Sequence, residues 1–443
     1  MQIEFVNHSS LIYRSGPISL LCDPWLFGTA FDDSWALLSE SKFEPEDCAG
    51  VTHLWFSHEH PDHFSPATLK AIPQEVRSKI TVLFHQSNDR KVLEYCKGLG
   101  FGELIELGDC APVQLSEGFE VMCGRYGQDD SWLLVSTPDC KLLNLNDCQL
   151  TSIDEATALK RVVGEVDVLL TQFSISSWDG NINDLPRRLA GAQAMLDRAA
   201  MQTRVFSADY LIPFASFIWF CHEENDYMNQ ALPDPQKTYD FFVANTDATP
   251  IVMYPGDTWD VGQAFDSQPA IERYTADVSS LSSRPRVSTE TVPIDTLIEM
   301  AKPFIAAVRA EYSPLRFRLR ELKMNVRHLR HAKRGIAPWL RALPYLARLQ
   351  VLPSRLWLTD LQQSVDFSVS TGLEPSDRKR KDCDVELSSG ALRSAFRFLW
   401  GGETLQINGR FNEIYPEGRL PFFEYLWIAC ALNREAGATA RPL

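Results

Sequence analysis

The chain has 443 residues, 45% of them hydrophobic and 23% charged, with a formal net charge of −15. Such a length and composition suit two or three packed domains and exclude a largely disordered chain, and the acidic balance argues against non-specific nucleic-acid binding. No apolar run approaches the roughly 18–20 residues that span a bilayer, and the opening MQIEFVNHSS has neither part of a signal peptide, so a cytoplasmic location is expected.

Ten cysteines are scattered without a C-x-x-C pair. They read as small buried hydrophobes, and their spacing weighs against a zinc ribbon or a Rieske iron–sulfur cluster.

In chain order, IEFVNHSSLIYRSGPISLLCDPWL predicts a two-stranded hairpin around Ser15-Gly16-Pro17, ended by Asp23-Pro24-Trp25. The β-branched and aromatic run 51–56 predicts a buried strand that delivers FSHEHPDHFS onto a loop. Ser65-Pro66 then predicts an N-cap and first-turn proline for a helix over 66–78. A strand at 80–84, a helix at 88–99 and strands near 103–106 and 118–124 follow. The block 131–151 predicts two strands about Thr137-Pro138-Asp139, the second delivering Asp147 at its end. A helix at 153–163, a strand at 166–173, a helix at 186–200 and strands in TRVFSADYLIPFASF and TPIVMYP complete the first region, taken as 1–275.

Beyond it, SSLSSRPRVSTETVP reads as a linker. Residues 294–350 read as helical and basic, carrying Arg316, Arg318, Arg320, Lys323, Arg327, Arg330, Lys333, Arg334, Arg341 and Arg348. A solvated helix face is weighed against a cradle for an anionic substrate and against peripheral membrane contact through 316–350. The last segment, a helix, a Gly401-Gly402 turn and a strand, predicts a small α+β appendage, so 276–443 is taken as the second region.

The cluster His58, His60, Asp62 and His63 is the feature that ordinary structure does not explain. Single histidines such as His53 and His85 are usually hydrogen-bonded core or surface residues, but imidazole and carboxylate packed together suit zinc, iron or manganese. Pro61 stiffens the loop where the ligands must converge. Four donors on one short loop divide most easily between two ions, His58 and His60 facing one, Asp62 and His63 the other, with Asp147 as the bridging carboxylate.

H-x-H-x-D-H after a strand, with a later strand-terminal aspartate, resembles the metallo-β-lactamase superfamily, which implies an α/β fold, the αββα sandwich. More closely, LLCDPWL, FSHEHPDHFSPATLK, DSWLLV, KLLNLNDC, PFASF with His222, and YPGDTWDVGQ resemble the metallo-β-lactamase-like part of CMP-N-acetylneuraminate hydroxylase and its bacterial relatives. The resemblance implies His222 as the far ligand of the second ion. Where relatives have a histidine as third ligand of the first ion, this chain has Tyr126, leaving Asp130, with Tyr126 or Asp129, to fill the place. An oxygen donor there favours iron or manganese relative to zinc, and the resemblance to oxygenases of the superfamily tilts the expectation to iron, with zinc or manganese as alternatives. Asp23 is expected to brace the loop by accepting a ligand imidazole's other N–H, and His8 to face the cleft or pack in its hairpin.

Two chemistries follow. A diiron oxygenase acting on a biosynthetic metabolite or nucleotide-sugar-like substrate would need O2 and, since the chain begins at its first strand, an external electron donor such as a reductase or ferredoxin. A hydrolase of a phosphoester, lactone, amide or thioester would instead use a bridging water made acidic by two metals and oriented by Asp62. The resemblance favours the oxygenase.

Overall fold

The structure, a computed structural model, describes residues 1–87, 90–127, 129–310, 315, 317–319, 321–323 and 352–436. It divides into two compact units: Met1–Ser176, Leu185–His222 and Asp226–Arg286 form the first, and Ser177–Asp184, Glu223–Asn225 and Val287–Leu443 the second. The helix Gln268–Ser280 runs across the composition change near 275.

The first unit is built on two seven-stranded sheets. One runs Thr258–Asp260, Gln2–Asn7, Ser10–Ser15, Ile18–Cys22, His53–Trp55, Thr81–His85, Leu104–Leu107. The other runs Thr249–Pro250, Tyr210–Phe214, Val168–Gln172, Cys140–Asn144, Asp130–Thr137, Phe119–Tyr126, Ala111–Ser116. The strand period of two sends Ile12, Leu21, Leu54 and Val82 to one face of the first sheet, against Leu69 of the helix Pro66–Ala71 and Val92, Leu93 and Cys96 of Lys91–Gly98. Their alternates Tyr13, Leu20, Trp55 and Leu83 are buried on the opposite face. In the second sheet Leu134, Leu143 and Leu169 pack with Ala156, Leu159 and Val163 of the helix Ile153–Val163 and Phe206 of Leu185–Phe206. Leu133, Val135, Leu142 and Leu170 are buried on its other side. Strands covered on both faces read as near-continuous apolar runs, and the layers are helix, sheet, sheet, helix.

Several elements depart from the sequence expectation. The opening stretch is three strands rather than two, because the chain also turns at His8, whose φ is +40°. The helix expected over 66–78 breaks into Pro66–Ala71 and Gln74–Arg77, since Pro73 has no N–H to continue it. The helix expected to end near 200 continues to Phe206, and only Thr249–Pro250 of TPIVMYP pairs as a strand. Ala111–Ser116, with a proline at its second position and no fully buried residue, gives too weak a signal to be read as the strand it forms.

The second unit holds a five-stranded sheet ordered Gly372–Ser376, Gln363–Ser368, Ser354–Leu358, Val385–Leu387, Asn412–Glu413. Leu356, Val365 and Phe367 pack with Leu297 and Phe304 of the helix Ile294–Ala310, Phe396 of Ser389–Arg397, and Phe422 and Leu426 of Leu420–Ala436. Gly401 and Gly402 do not make the expected turn; they open the helix Gly401–Asn408. A Cβ on Gly402 would stand 2.2 Å from Leu426 Cβ, so glycine is there for close helix approach. Of the ten basic residues from Arg316 to Arg348, only Arg318 and Lys323 are described, both exposed; positions 316, 320 and 324–350, and with them most of the expected membrane-facing stretch, lie outside the described residues. No described helix is long and apolar enough to cross a membrane.

Candidate metal centre

Strand register places the candidate residues on one rim. Ile18–Cys22 and His53–Trp55 are parallel, with Cys22 opposite Trp55, so Asp23 and Phe56-Ser57 leave adjacent strand ends together. In the other sheet Asp130–Thr137 runs antiparallel to Cys140–Asn144, with Leu133 opposite Asn144, so Asp130 starts one strand near where Asp147 follows the other. Cys140–Asn144 is in turn parallel to Val168–Gln172, which brings Gln172 to the same rim. The sheets are stitched there by Ala215 N–H donating to His8 O at 3.1 Å and by the Ser131 hydroxyl donating to Ser57 O at 2.6 Å.

The loop after Ser57 turns tightly, with Phe64 N–H donating to His60 O at 2.7 Å, and its imidazoles converge. His58 Nε2 lies 2.8 Å from His60 Nδ1 and 3.8 Å from Asp130 Oδ1. His63 Nε2 lies 3.3 Å from Asp62 Oδ2 and 3.5 Å from Asp147 Oδ2, while His8 Nε2 lies 3.3 Å from Asp62 Oδ2. Two donors each about 2.1 Å from one tetrahedral ion stand roughly 3.4 Å apart, close to the separations of His63 Nε2 from Asp62 and Asp147 and of His8 Nε2 from Asp62. Among the described residues two triads each bring one ligand atom per residue within 4.8 Å of one another, His8, Asp62 and His63, and His58, His63 and Asp147. His63 Nε2 and Asp62 Oδ1 are buried with no hydrogen-bond partner among the described residues, a costly condition that a cation would relieve. The donor set of imidazole nitrogen and carboxylate oxygen fits divalent iron, zinc or manganese.

The charges are strongly coupled. Burial, then repulsion from His63 and His60, holds His58 well below the usual imidazole range. Burial pushes His63 down as well, but Asp62 and Asp147 outweigh it and hold that ring well above the usual range. Burial pushes Asp62 up, and His63, then His8, outweigh it and hold the carboxyl well below. Asp130 is pushed up to about 7 by burial and by Asp147.

The remaining candidates fall as follows. Asp23 is fully buried and accepts from Ser57 N–H at 2.7 Å, the Ser57 hydroxyl at 2.8 Å, His63 Nδ1 at 3.1 Å and the Asn146 amide. Tyr126 packs against the outer core of the second sheet, near Glu155 and Arg198, while Asp130 is the residue beside His58. Asp129 is half-buried next to Asp130 and raises its carboxyl further. His222 is fully buried just past the strand Ile218–Phe220, its carbonyl accepting Asp226 N–H at 2.9 Å; neither triad includes it, His60 or Asp130. Trp25 meets His8 edge-on at 5.7 Å, and Trp178 stacks on Phe411 in the second unit.

Several participants carried little sequence signal. Gln172 Nε2 donates to Asp147 Oδ1 at 3.1 Å and accepts at Oε1 from Arg198 at 3.2 Å, a relay assembled from a strand and a helix. Burial lowers Arg198 to about 10, against the pull of Asp147 and Tyr126. The Phe31 ring lies 5.7 Å from His60 and 4.7 Å from Trp35, on a hairpin where Phe31, Asp32 and Asp33 all have positive φ. Only Asn146, beside Asp147 in LNLND, had a neighbour that pointed to it.

Residues 2–171 match the beta-lactamase superfamily domain. That match lies within the first unit. The chain is 26% identical over 256 residues to a Mycolicibacterium smegmatis protein named for a Rieske 2Fe-2S iron–sulfur centre, covering 54% of this chain and 48% of that protein. It is 25% identical over 281 residues to mouse cytidine monophosphate-N-acetylneuraminic acid hydroxylase, covering 59% and 47%. The chain therefore spans about half the length of the curated relatives it matches. Among solved structures, the diiron β-hydroxylase CmlA of Streptomyces venezuelae aligns with a TM-score of 0.41 at 16% identity, over 59% of this chain and 54% of that one. Isothiocyanate hydrolase from Delia radicum gut bacteria aligns at 0.41 and 12% identity, over 60% and 100%.

Proposed function

We infer that the metallo-β-lactamase unit is the catalytic part of a dinuclear metalloenzyme, an oxygenase of hydroxylase type acting on a small biosynthetic metabolite or nucleotide-sugar-like molecule. His58, His60 and Asp130 would hold one ion and Asp62, His63 and His222 the other, with Asp147 between them. The observation that carries the reading is the convergence of buried His58, His63 and Asp62 with half-buried Asp130 and Asp147, Asp130 being assigned here as the oxygen donor in place of a third imidazole. That oxygen donor favours iron, and the similarity to hydroxylases supports oxidation over hydrolysis. A reduced iron pair supplies O2 activation for insertion into a substrate C–H or N–H bond.

The chain's own residues prepare the site for this. Gln172 and Arg198 fix Asp147 and temper its charge, and Asp23 with Ser57 braces the loop. Phe31 and Trp35 shield the His60 side from water.

Hydrolysis is the second reading, favoured by one observation: Asp62 is kept ionised beside His8 and His63, as a carboxylate must be to take a proton from an attacking water. Anaerobically purified protein should carry about two irons per chain and consume O2 with a reductant. Stoichiometric zinc with steady nitrophenyl-ester or phosphodiester turnover would sink the oxygenase and leave the hydrolase standing.

A further inference from the structure

We propose that the Ser57 hydroxyl sets the tautomer of His58 while Asp23 sets that of His63, so that the two ions depend on different groups behind them. This rests on the dinuclear reading given above and extends it to a residue outside the ligand set.

A serine hydroxyl offers one donor and two acceptor lone pairs. The Ser57 proton goes to Asp23 Oδ2 at 2.8 Å, an oxygen that also accepts from the Asn146 amide while Oδ1 accepts from Ser57 N–H. The lone pairs are left for N–H donors, and the nearest is His58 Nδ1 at 2.9 Å; His63 Nδ1 is farther, at 3.3 Å. With Nδ1 protonated, the His58 lone pair sits on Nε2, the atom that faces His60 at 2.8 Å and Asp130 at 3.8 Å. The opposite tautomer would point a hydrogen at those donors and leave two lone pairs facing each other at Ser57.

Ser57 is held so that it has little freedom to do otherwise. Its N–H donates to Asp23 Oδ1 at 2.7 Å, its carbonyl accepts from Ser131 at 2.6 Å, and it is fully buried, so no bulk water competes for the hydroxyl. The two histidines are not backed equally. Among the described residues Ser57 Oγ is the one hydrogen-bond partner of His58 Nδ1. His63 Nδ1 also has Asp23 Oδ2 at 3.1 Å, a charged and closer acceptor than Ser57. A charge-assisted bond is the stronger of the two, so loss of the hydroxyl leaves His63 oriented and His58 free to turn over.

The full chain, stripped of metal, is titrated with zinc against a chromophoric chelator, for wild type, His60→Ala, Ser57→Ala, Ser57→Thr and Asp23→Asn. The step that His60→Ala abolishes should weaken about 10–100-fold in Ser57→Ala and recover to within about threefold in Ser57→Thr, with the other step little changed. Asp23→Asn should weaken the other step more. In zinc-loaded protein the His58 Nδ1–H proton resonance should vanish in Ser57→Ala while that of His63 persists, a signature that general loosening of the fold would not produce. Two ions in wild type with an unaltered His60-dependent step in Ser57→Ala, or equal weakening of both steps without rescue by threonine, overturns the proposal alone. Fewer than two ions in wild type overturns the dinuclear reading and the proposal with it.

Discussion

His63 meets Asp147 across the two sheets, Nε2 to Oδ2 at 3.5 Å, joining the loop after one strand to the turn after another. Asp62 lies as close to the same nitrogen, at 3.3 Å, so one imidazole stands between two carboxylates in a fully buried position. That arrangement decides what the metal-free protein must do when it takes up ions.

Metal loading should release protons at neutral pH. His63 is held above its usual range, by Asp62 and Asp147 against burial, and Asp130 is pushed up to about 7, so the metal-free site retains protons that ligation must expel. The sign for stability is the same for both groups. The raised His63 contributes stability that is present below the unfolded imidazole range and lost as pH rises through its folded value. Asp130 favours the metal-free fold only while protonated, and this is lost as pH rises towards about 7. Ion affinity should therefore climb with pH across this window. Calorimetry at pH 7 in two buffers of different ionisation heat should give different apparent enthalpies; buffer-independent heats would refute the assignment.

Asp130 and Tyr126 should separate cleanly. Asp130→Ala removes the carboxylate beside His58 and should cost one ion per chain, or weaken it by about tenfold or more. Tyr126→Phe keeps the ring in the outer core of the second sheet and should leave metal content at wild-type level. Plasma emission spectrometry on both variants reads the difference, and the reverse pattern would restore the tyrosine as ligand.

For His222 the expected outcome of His222→Ala is loss of one of two ions, with the His58 side retained. The ring is fully buried at the end of a strand paired with Trp35–Leu37, and Cys221 N–H donates to Ser34 O at 3.0 Å, so its backbone is well anchored. Unchanged stoichiometry would remove it from the ligand set.

How far the centre could be read from sequence depends on what holds each residue. His58, His60, Asp62 and His63 share one loop, so spacing alone exposes them, and Asp147 declares itself by ending an apolar strand. His8 reads equally as a cleft residue or a packed hairpin histidine, because the turn that aims it at Asp62 lies within a stretch that reads as one strand. Gln172 and Arg198 meet only after a strand and a helix are laid side by side, and nothing local marks either. In the second unit Gly401-Gly402 looks like a turn because glycine serves both open turns and close helix packing, and only the neighbour reveals which.

That last distinction makes a sharp stability test. Gly402→Ala would place Cβ 2.2 Å from Leu426 Cβ and 3.2 Å from its Cα, inside a core of Phe422, Phe423 and Leu426, where backbone must move to relieve the clash. Overpacking of this kind costs about 1–3 kcal/mol. Gly98→Ala is the opposite case: Gly98 ends the helix Lys91–Gly98, nothing lies within 4 Å of its Cβ position, and its φ is not positive. Alanine there should stabilise the first unit by up to about 1 kcal/mol through helix propensity. Thermal unfolding of the full chain should move in opposite directions for the two substitutions, and a neutral Gly402→Ala would mean that the helix Gly401–Asn408 does not pack against Leu426 as described.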